Sequence, residues 1–182
     1  SVYLYNSFDI GGSGNNIWIT FTSNNSNIVL NDTNGTYDVF MQKFPNGNIS
    51  RVTETVAGLE ANNTSFTTTI SEDGKWIAFI TFATNLTLDD YTSAFEQQVI
   101  VYDRLNDQFS LASKNDPGLP ISNSDTGGLY LIIIFASGKY VSYNYEDDAP
   151  GLAFGKDIKG RKDVILFIIL SKLSKLVSNQ TK

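Results

Sequence analysis

From Lys75 onward the side chains alternate, with Trp76, Ala78 and Ile80 on one side of the chain and Ile77, Phe79 and Thr81 on the other. A period of two is the signature of a β-strand, and the Asp73-Gly74 pair just upstream supplies a tight turn into it. The same turn-to-strand pattern occurs twice more. Ile17-Trp18-Ile19-Thr20-Phe21 and Lys139-Tyr140-Val141-Ser142-Tyr143 align with Lys75-Trp76-Ile77-Ala78-Phe79. A short run ending in a Gly-containing turn precedes each: Phe8 to Gly12, Thr69 to Gly74, and Ile134 to Gly138. The copies lie about 60 residues apart, a spacing typical of stacked or radial repeats.

Each copy continues alike. Asp32-Thr33-Asn34-Gly35-Thr36-Tyr37-Asp38-Val39-Phe40-Met41 is a turn entering a third strand, and Asp157 to Leu166 repeats it. The second copy keeps the strand, Gln98 to Asp103, after a longer loop through Asp89-Asp90-Tyr91. A polar turn at Asn46-Gly47-Asn48 or Asn106-Asp107 then leads to a fourth strand. The pattern predicts an all-β array of four-stranded antiparallel meanders, three in this chain, spanning 2–56, 64–113 and 128–178 as one domain. Residues 168–177 have no turn residue, and a helical i, i+4, i+7 stripe fits them as well as two strands do.

Composition narrows the possibilities. Apolar residues make up 41% and aromatics 13% of the 182 residues, enough for a folded domain with its own core. A net charge of −6 argues against a nucleic-acid partner, which calls for a basic face. The charge is uneven: from Lys156 onward seven Lys/Arg meet two Asp, against six and seventeen before it. There is no cysteine and no histidine. A disulfide framework, a Ser-His-Asp triad and any His- or Cys-ligated metal are therefore excluded within these residues. The longest apolar run, Leu129 to Ala136, is eight residues and Val164 to Leu170 is seven, both far short of the roughly 20 that span a bilayer as a helix. Ser1 reads as a mature or truncated end.

Candidate chemistry centres on oxygen-bearing turns. Asp32, Asn34 and Asp38 set oxygens at close spacing around a turn and could contribute to a calcium site. Turn building explains the same residues, since Asp and Asn accept backbone N–H bonds and Asn34-Gly35 suits a positive φ. The spacing is not that of an EF-hand, and Lys159 replaces Asn34 in the third copy. Asp89-Asp90 and Glu146-Asp147-Asp148 resemble the carboxylate pairs of glycosidases, but nothing singles them out from solvated loop acids. No catalytic residue and no cofactor other than calcium is assigned. Trp18, Trp76 and Tyr140 share one repeat position, which predicts packing between units. Asn-x-Ser/Thr sequons stand at Asn24, Asn31, Asn34, Asn48, Asn62, Asn63, Asn85 and Asn179.

The run Ser71-x-Asp73-Gly74-Lys75-Trp76-Ile77-Ala78-Phe79, followed by Ala83-Thr84-Asn85-Leu86, resembles the repeat of TolB-like, WD-repeat-like β-propellers. Asp32-Thr33-Asn34-Gly35-Thr36-Tyr37-Asp38-Val39-Phe40 resembles the third-strand entry of that repeat in secreted bacterial members. The first copy departs at Gly12 to Asn16 and the third at Ser137-Gly138-Lys139. The resemblance implies a propeller segment, located extracellularly, in a periplasm or on a cell surface. It implies a non-catalytic module that binds a protein or carbohydrate. The alternatives are the scaffold part of a secreted carbohydrate-active or other hydrolytic enzyme, or a structural surface or filament subunit. Propellers close with about four to eight blades. Three would leave blade faces uncovered, so pairing with a second copy, or residence in a longer chain, is expected.

Overall fold

The computed structural model describes residues 7–88, 97–113, 132–134, 140–145 and 163–168. All regular structure among them is β. Strands β1 (Phe8–Ser13), β2 (Asn16–Ser23), β3 (Asp38–Phe44) and β4 (Ile49–Arg51) form sheet 1 in sequential antiparallel order. Sheet 2 repeats the plan with β5 (Ser65–Ile70), β6 (Trp76–Thr81), β7 (Gln98–Asp103) and β8 (Gln108–Leu111). Strands β9 (Ile132–Ile134), β10 (Tyr140–Tyr145) and β11 (Asp163–Ile168) make an antiparallel sheet 3 of three strands. Two of the expected four-stranded antiparallel meanders thus form, in an all-β arrangement. A fourth strand for sheet 3 and the ambiguous tail after Ile168 lie outside the described residues.

The registers of sheets 1 and 2 superimpose. Trp18 faces Lys43 as Trp76 faces Asp103, and Ile19 faces Gln42 as Ile77 faces Tyr102. Gln42 in turn faces Ile49, as Tyr102 faces Phe109. The turns that set these registers are chemically satisfied. Gly74 has φ 69°, and Asp73 Oδ1 accepts from the Lys75 N–H at 3.0 Å. Asp103 does the same at the β7–β8 turn, accepting from Leu105 N at 3.0 Å and Asn106 Nδ2 at 2.7 Å. Both turns use a carboxylate in place of the backbone acceptor that a strand would provide.

Sheet 2 is buried on both faces. Ile77, Ala78, Phe79 and Ile80 are all 0% exposed, although the alternation alone would permit one wet face. The reason is layering, since sheet 1 packs on one side through β5 and β9 of sheet 3 touches β5 and β6. The central cluster joins Val39 and Val52 of the first unit to Ile70, Ile77, Phe79, Ile100, Tyr102 and Leu111 of the second, with Trp18, Met41 and Phe109 against it. Polar contacts fasten the same seam. Asp9 Oδ2 accepts from Ile70 N at 2.9 Å and Thr69 Oγ1 at 2.7 Å, and Gly12 N donates to Glu72 O at 2.8 Å. Gly11 permits this approach, because a Cβ there would sit 2.2 Å from the Ser71 carbonyl oxygen.

Candidate functional site

The loop before β3 holds Asp32, Asn34 and Asp38 together, and Arg51 at the end of β4 brings more charge to the same place. Asn34 Oδ1 accepts from the Thr36 N–H at 2.9 Å and the Thr36 hydroxyl at 3.1 Å, so this amide builds the turn. Gly35 between them has φ 66°. Asp38 is fully buried; Thr53 Oγ1 donates to its Oδ1 at 2.5 Å and Asn34 Nδ2 to its Oδ2 at 3.0 Å. Burial pushes the Asp38 carboxyl above its ordinary pKa, against the opposing pull of Thr53, Asn34 and Arg51.

Arg51 is the hub. Its side chain is 3% exposed, and Nη1 donates to Glu60 Oε1 at 2.6 Å. Nη2 donates to Asn31 O at 3.3 Å and Glu54 Oε2 at 3.4 Å, while Asp32 Oδ1 lies 3.8 Å from Nη1. Burial, the largest single influence on Glu60, favours its neutral form. Hydrogen bonds from the Thr33 N–H and hydroxyl, joined by Arg51, outweigh it and hold that carboxyl below its ordinary range. The cluster ties the 31–38 loop, β4 and the 54–60 turn into one block. The sequence pattern marked the acids but not Arg51 or Glu60, whose roles depend on contacts across the fold.

As calcium ligands, these residues are already committed. Both Asp38 oxygens and Asn34 Oδ1 accept turn hydrogen bonds, and a guanidinium sits beside Asp32. The remaining acceptor is Asp32 Oδ2, which is buried without a hydrogen-bond partner. Among the described residues no group of three His, Cys, Asp or Glu side chains is arranged to hold a metal ion. Asp89-Asp90 and Glu146-Asp147-Asp148 lie outside the described residues.

The aromatic repeat position behaves differently in each copy. Trp18 packs between sheets, under the Arg104 guanidinium 4.0 Å from its ring centre, with its indole N–H donating to Asn16 Oδ1 at 3.0 Å. Arg104 is itself fixed by donating to Gly74 O at 2.8 Å. Trp76 is only half-buried, with Lys75 Nζ 4.5 Å from its ring centre. It opens β6 beside the turn, at the rim of the sheet, so it does not belong to the fully buried core that its pattern predicts. Tyr140 begins β10.

One surface stands out. Phe8, Ile10, Ile17, Ile19, Phe21, Phe44 and Ile49 share a single face of sheet 1 by strand alternation and cross-strand register. Phe8 is 74%, Ile10 57% and Phe44 51% exposed. The corresponding face of sheet 2, carrying Ile77 and Phe79, is closed by sheet 1. Around Phe8, Ile10 and Phe44 sheet 1 therefore presents to solvent the kind of face that sheet 2 buries, while Phe40 on the same face is fully buried.

No protein-family model matches the sequence, and no curated protein matches it. Solved structures of similar shape include a putative TolB from Agrobacterium tumefaciens, at 15% identity and TM-score 0.48, covering 91% of this chain and 46% of that one. TolB from Acinetobacter baumannii aligns at 15% identity and TM-score 0.44, over 90% of this chain and 30% of that one. A structure from a study of two prolyl endopeptidases aligns at 14% identity and TM-score 0.48, over 94% of this chain and 22% of that one. The chain spans less than half the length of each of these proteins.

Proposed function

We propose that the chain is a non-catalytic segment of a β-propeller that serves as a protein-interaction module, with the open face of sheet 1 as its contact surface. The observation that carries this reading is the exposure of Phe8, Ile10 and Phe44 on a face whose counterpart in sheet 2 is buried. Contiguous exposed apolar surface on a folded domain marks an interaction site. The resemblance to secreted propeller repeats supports a place outside the cytoplasm, which fractionation of the producing cell tests.

The test for the contact surface is site-specific photocrosslinking in that cell. A benzophenone side chain at position 10 should give a discrete protein adduct, and one at position 24, on an exposed polar loop, should not. No adduct from position 10, or the same adducts from both positions, overturns the reading.

A further inference from the structure

The sequence carries two Asn-Gly pairs, Asn34-Gly35 and Asn46-Gly47, and the Asp-Gly pair Asp73-Gly74. Such pairs share a latent reaction. The glycine nitrogen can attack the side-chain carbonyl carbon of the residue before it, because no Cβ on the glycine hinders the approach. In a folded chain the outcome depends on whether that nitrogen is free, how the carbonyl is polarised, and how much room lies around them. The structure separates the three pairs on these counts.

Gly47 N donates to Lys43 O at 2.7 Å and Gly74 N to Ser71 O at 2.8 Å, so both nitrogens are tied to backbone carbonyls. Among the described residues the Gly35 N–H makes no hydrogen bond. Gly35 is exposed, and a Cβ built on it would meet nothing within 4 Å, which leaves space for water beside the nucleophile. The carbonyl of Asn34 is prepared as well. Its Oδ1 accepts from the Thr36 N–H at 2.9 Å and the Thr36 hydroxyl at 3.1 Å, folding the side chain back over the Gly35 peptide. Those two donors point at the oxygen that gains charge when Cγ becomes tetrahedral. Asn46 is exposed and has no such donors among the described residues. Asp73 offers a carboxylate, a weaker electrophile than an amide.

We infer that Asn34 is a site of self-modification, closing on Gly35 to a succinimide that water opens to aspartate or isoaspartate. The Gly35 nitrogen gives its proton to solvent and bonds to Asn34 Cγ. The Cγ–Nδ2 bond then breaks, and the departing nitrogen takes up a proton and leaves as ammonia. Asn34 Nδ2 donates to Asp38 Oδ2 at 3.0 Å, so that carboxyl is placed to relay the proton. Water next adds to either ring carbonyl and breaks its bond to the ring nitrogen. Overall one water is consumed and one ammonia released, with no change of oxidation state.

The product acts on the loop that contains it. Conversion deletes the amide that donates to Asp38 and sets a second carboxylate against a buried one, where like charges oppose each other. The 31–38 loop is fastened by Arg51 to β4 and the 54–60 turn, so the modification loosens one side of that block. This assignment does not depend on the interaction reading above.

The test follows the full chain at mildly alkaline pH, folded in buffer and unfolded in urea, with peptides mapped by mass spectrometry over time. Asn46-Gly47 serves as the internal reference. In urea the two Asn-Gly pairs should convert at similar rates. In the folded chain position 34 should convert about tenfold faster than position 46 or more, a modest share of what proton transfer and oxyanion donors supply in enclosed sites. Thr36→Val removes the hydroxyl donor and should slow position 34 severalfold in the folded chain while leaving the urea rate unchanged. A folded-state rate at position 34 no greater than at 46, the same ratio in buffer and urea, or a folded rate untouched by Thr36→Val overturns the inference.

Discussion

Arg51 shows how one side chain can hold a loop, a strand end and a turn together. It is buried against Asp32, Glu54 and Glu60, so removing it strands carboxylates that no other cation in the cluster neutralises. Arg51→Leu should cost about 3–5 kcal/mol, the range for breaking a buried ion pair from one side. Denaturant midpoints at unchanged slope check this, and a loss below about 1 kcal/mol, the worth of a surface pair, would sink it. The acids of the cluster respond to pH in opposite senses. Glu60 is held below its ordinary value, so its stabilisation is present above that value and is lost as pH falls through the folded one. Asp38 is raised, so its ionised form is a penalty at neutral pH that is relieved as pH falls through its folded value. Glu60→Gln should therefore flatten the acid-side loss of melting temperature, and parallel curves for variant and parent would contradict it. The same oxygens bear on calcium. With both Asp38 oxygens and Asn34 Oδ1 engaged, adding calcium or a chelator should leave the melting temperature unchanged. A calcium-dependent rise that disappears in Asp38→Ala would instead establish a site.

At the level of elements, the seam between sheets 1 and 2 depends on small residues and one wedge. Trp18 lies between the Gly74 turn and Arg104, partly buried. Trp18→Ala should cost about 2 kcal/mol, below the ~3–5 kcal/mol of a fully enclosed aromatic. Trp76→Ala should fall in the same lower range, because that ring is half-buried at the mouth of β6. Thermal or denaturant unfolding of the two variants decides it, and a loss of ~4 kcal/mol at Trp76 would restore its place in the core. The position was legible in the repeat; its depth was not. Sequence equivalence marks which strand position carries the ring, whereas burial depends on how far the neighbouring sheet extends over that end of the strand. Arg104 and Gly11 escaped notice for a related reason. Neither has a local pattern, and each matters only because a distant backbone, at Gly74 or Ser71, comes up against it.

For the whole molecule, layering sets the distribution of stability. Sheet 2 is covered on both faces, while one face of sheet 1 meets solvent. Amide hydrogen exchange should be slowest in β6 and β7 and faster in β1 and β4, since protection follows buried contact. Exchange in β1 as slow as in β6 would mean that the open face is covered in solution. What the sequence determined by itself is the strands of sheets 1 and 2, their turns and the plan the two share. Those follow from local facts: a period of two, Asp and Asn acting as backbone surrogates, and glycines at positive φ such as Gly14 and Gly74. What only the tertiary structure decided is which faces are wet, where Arg51 gathers its carboxylates, and that Trp18 sits between the Gly74 turn and Arg104. Those depend on residues brought together from separate strands and loops, and alternation says only that a strand has two faces, never what lies against each of them.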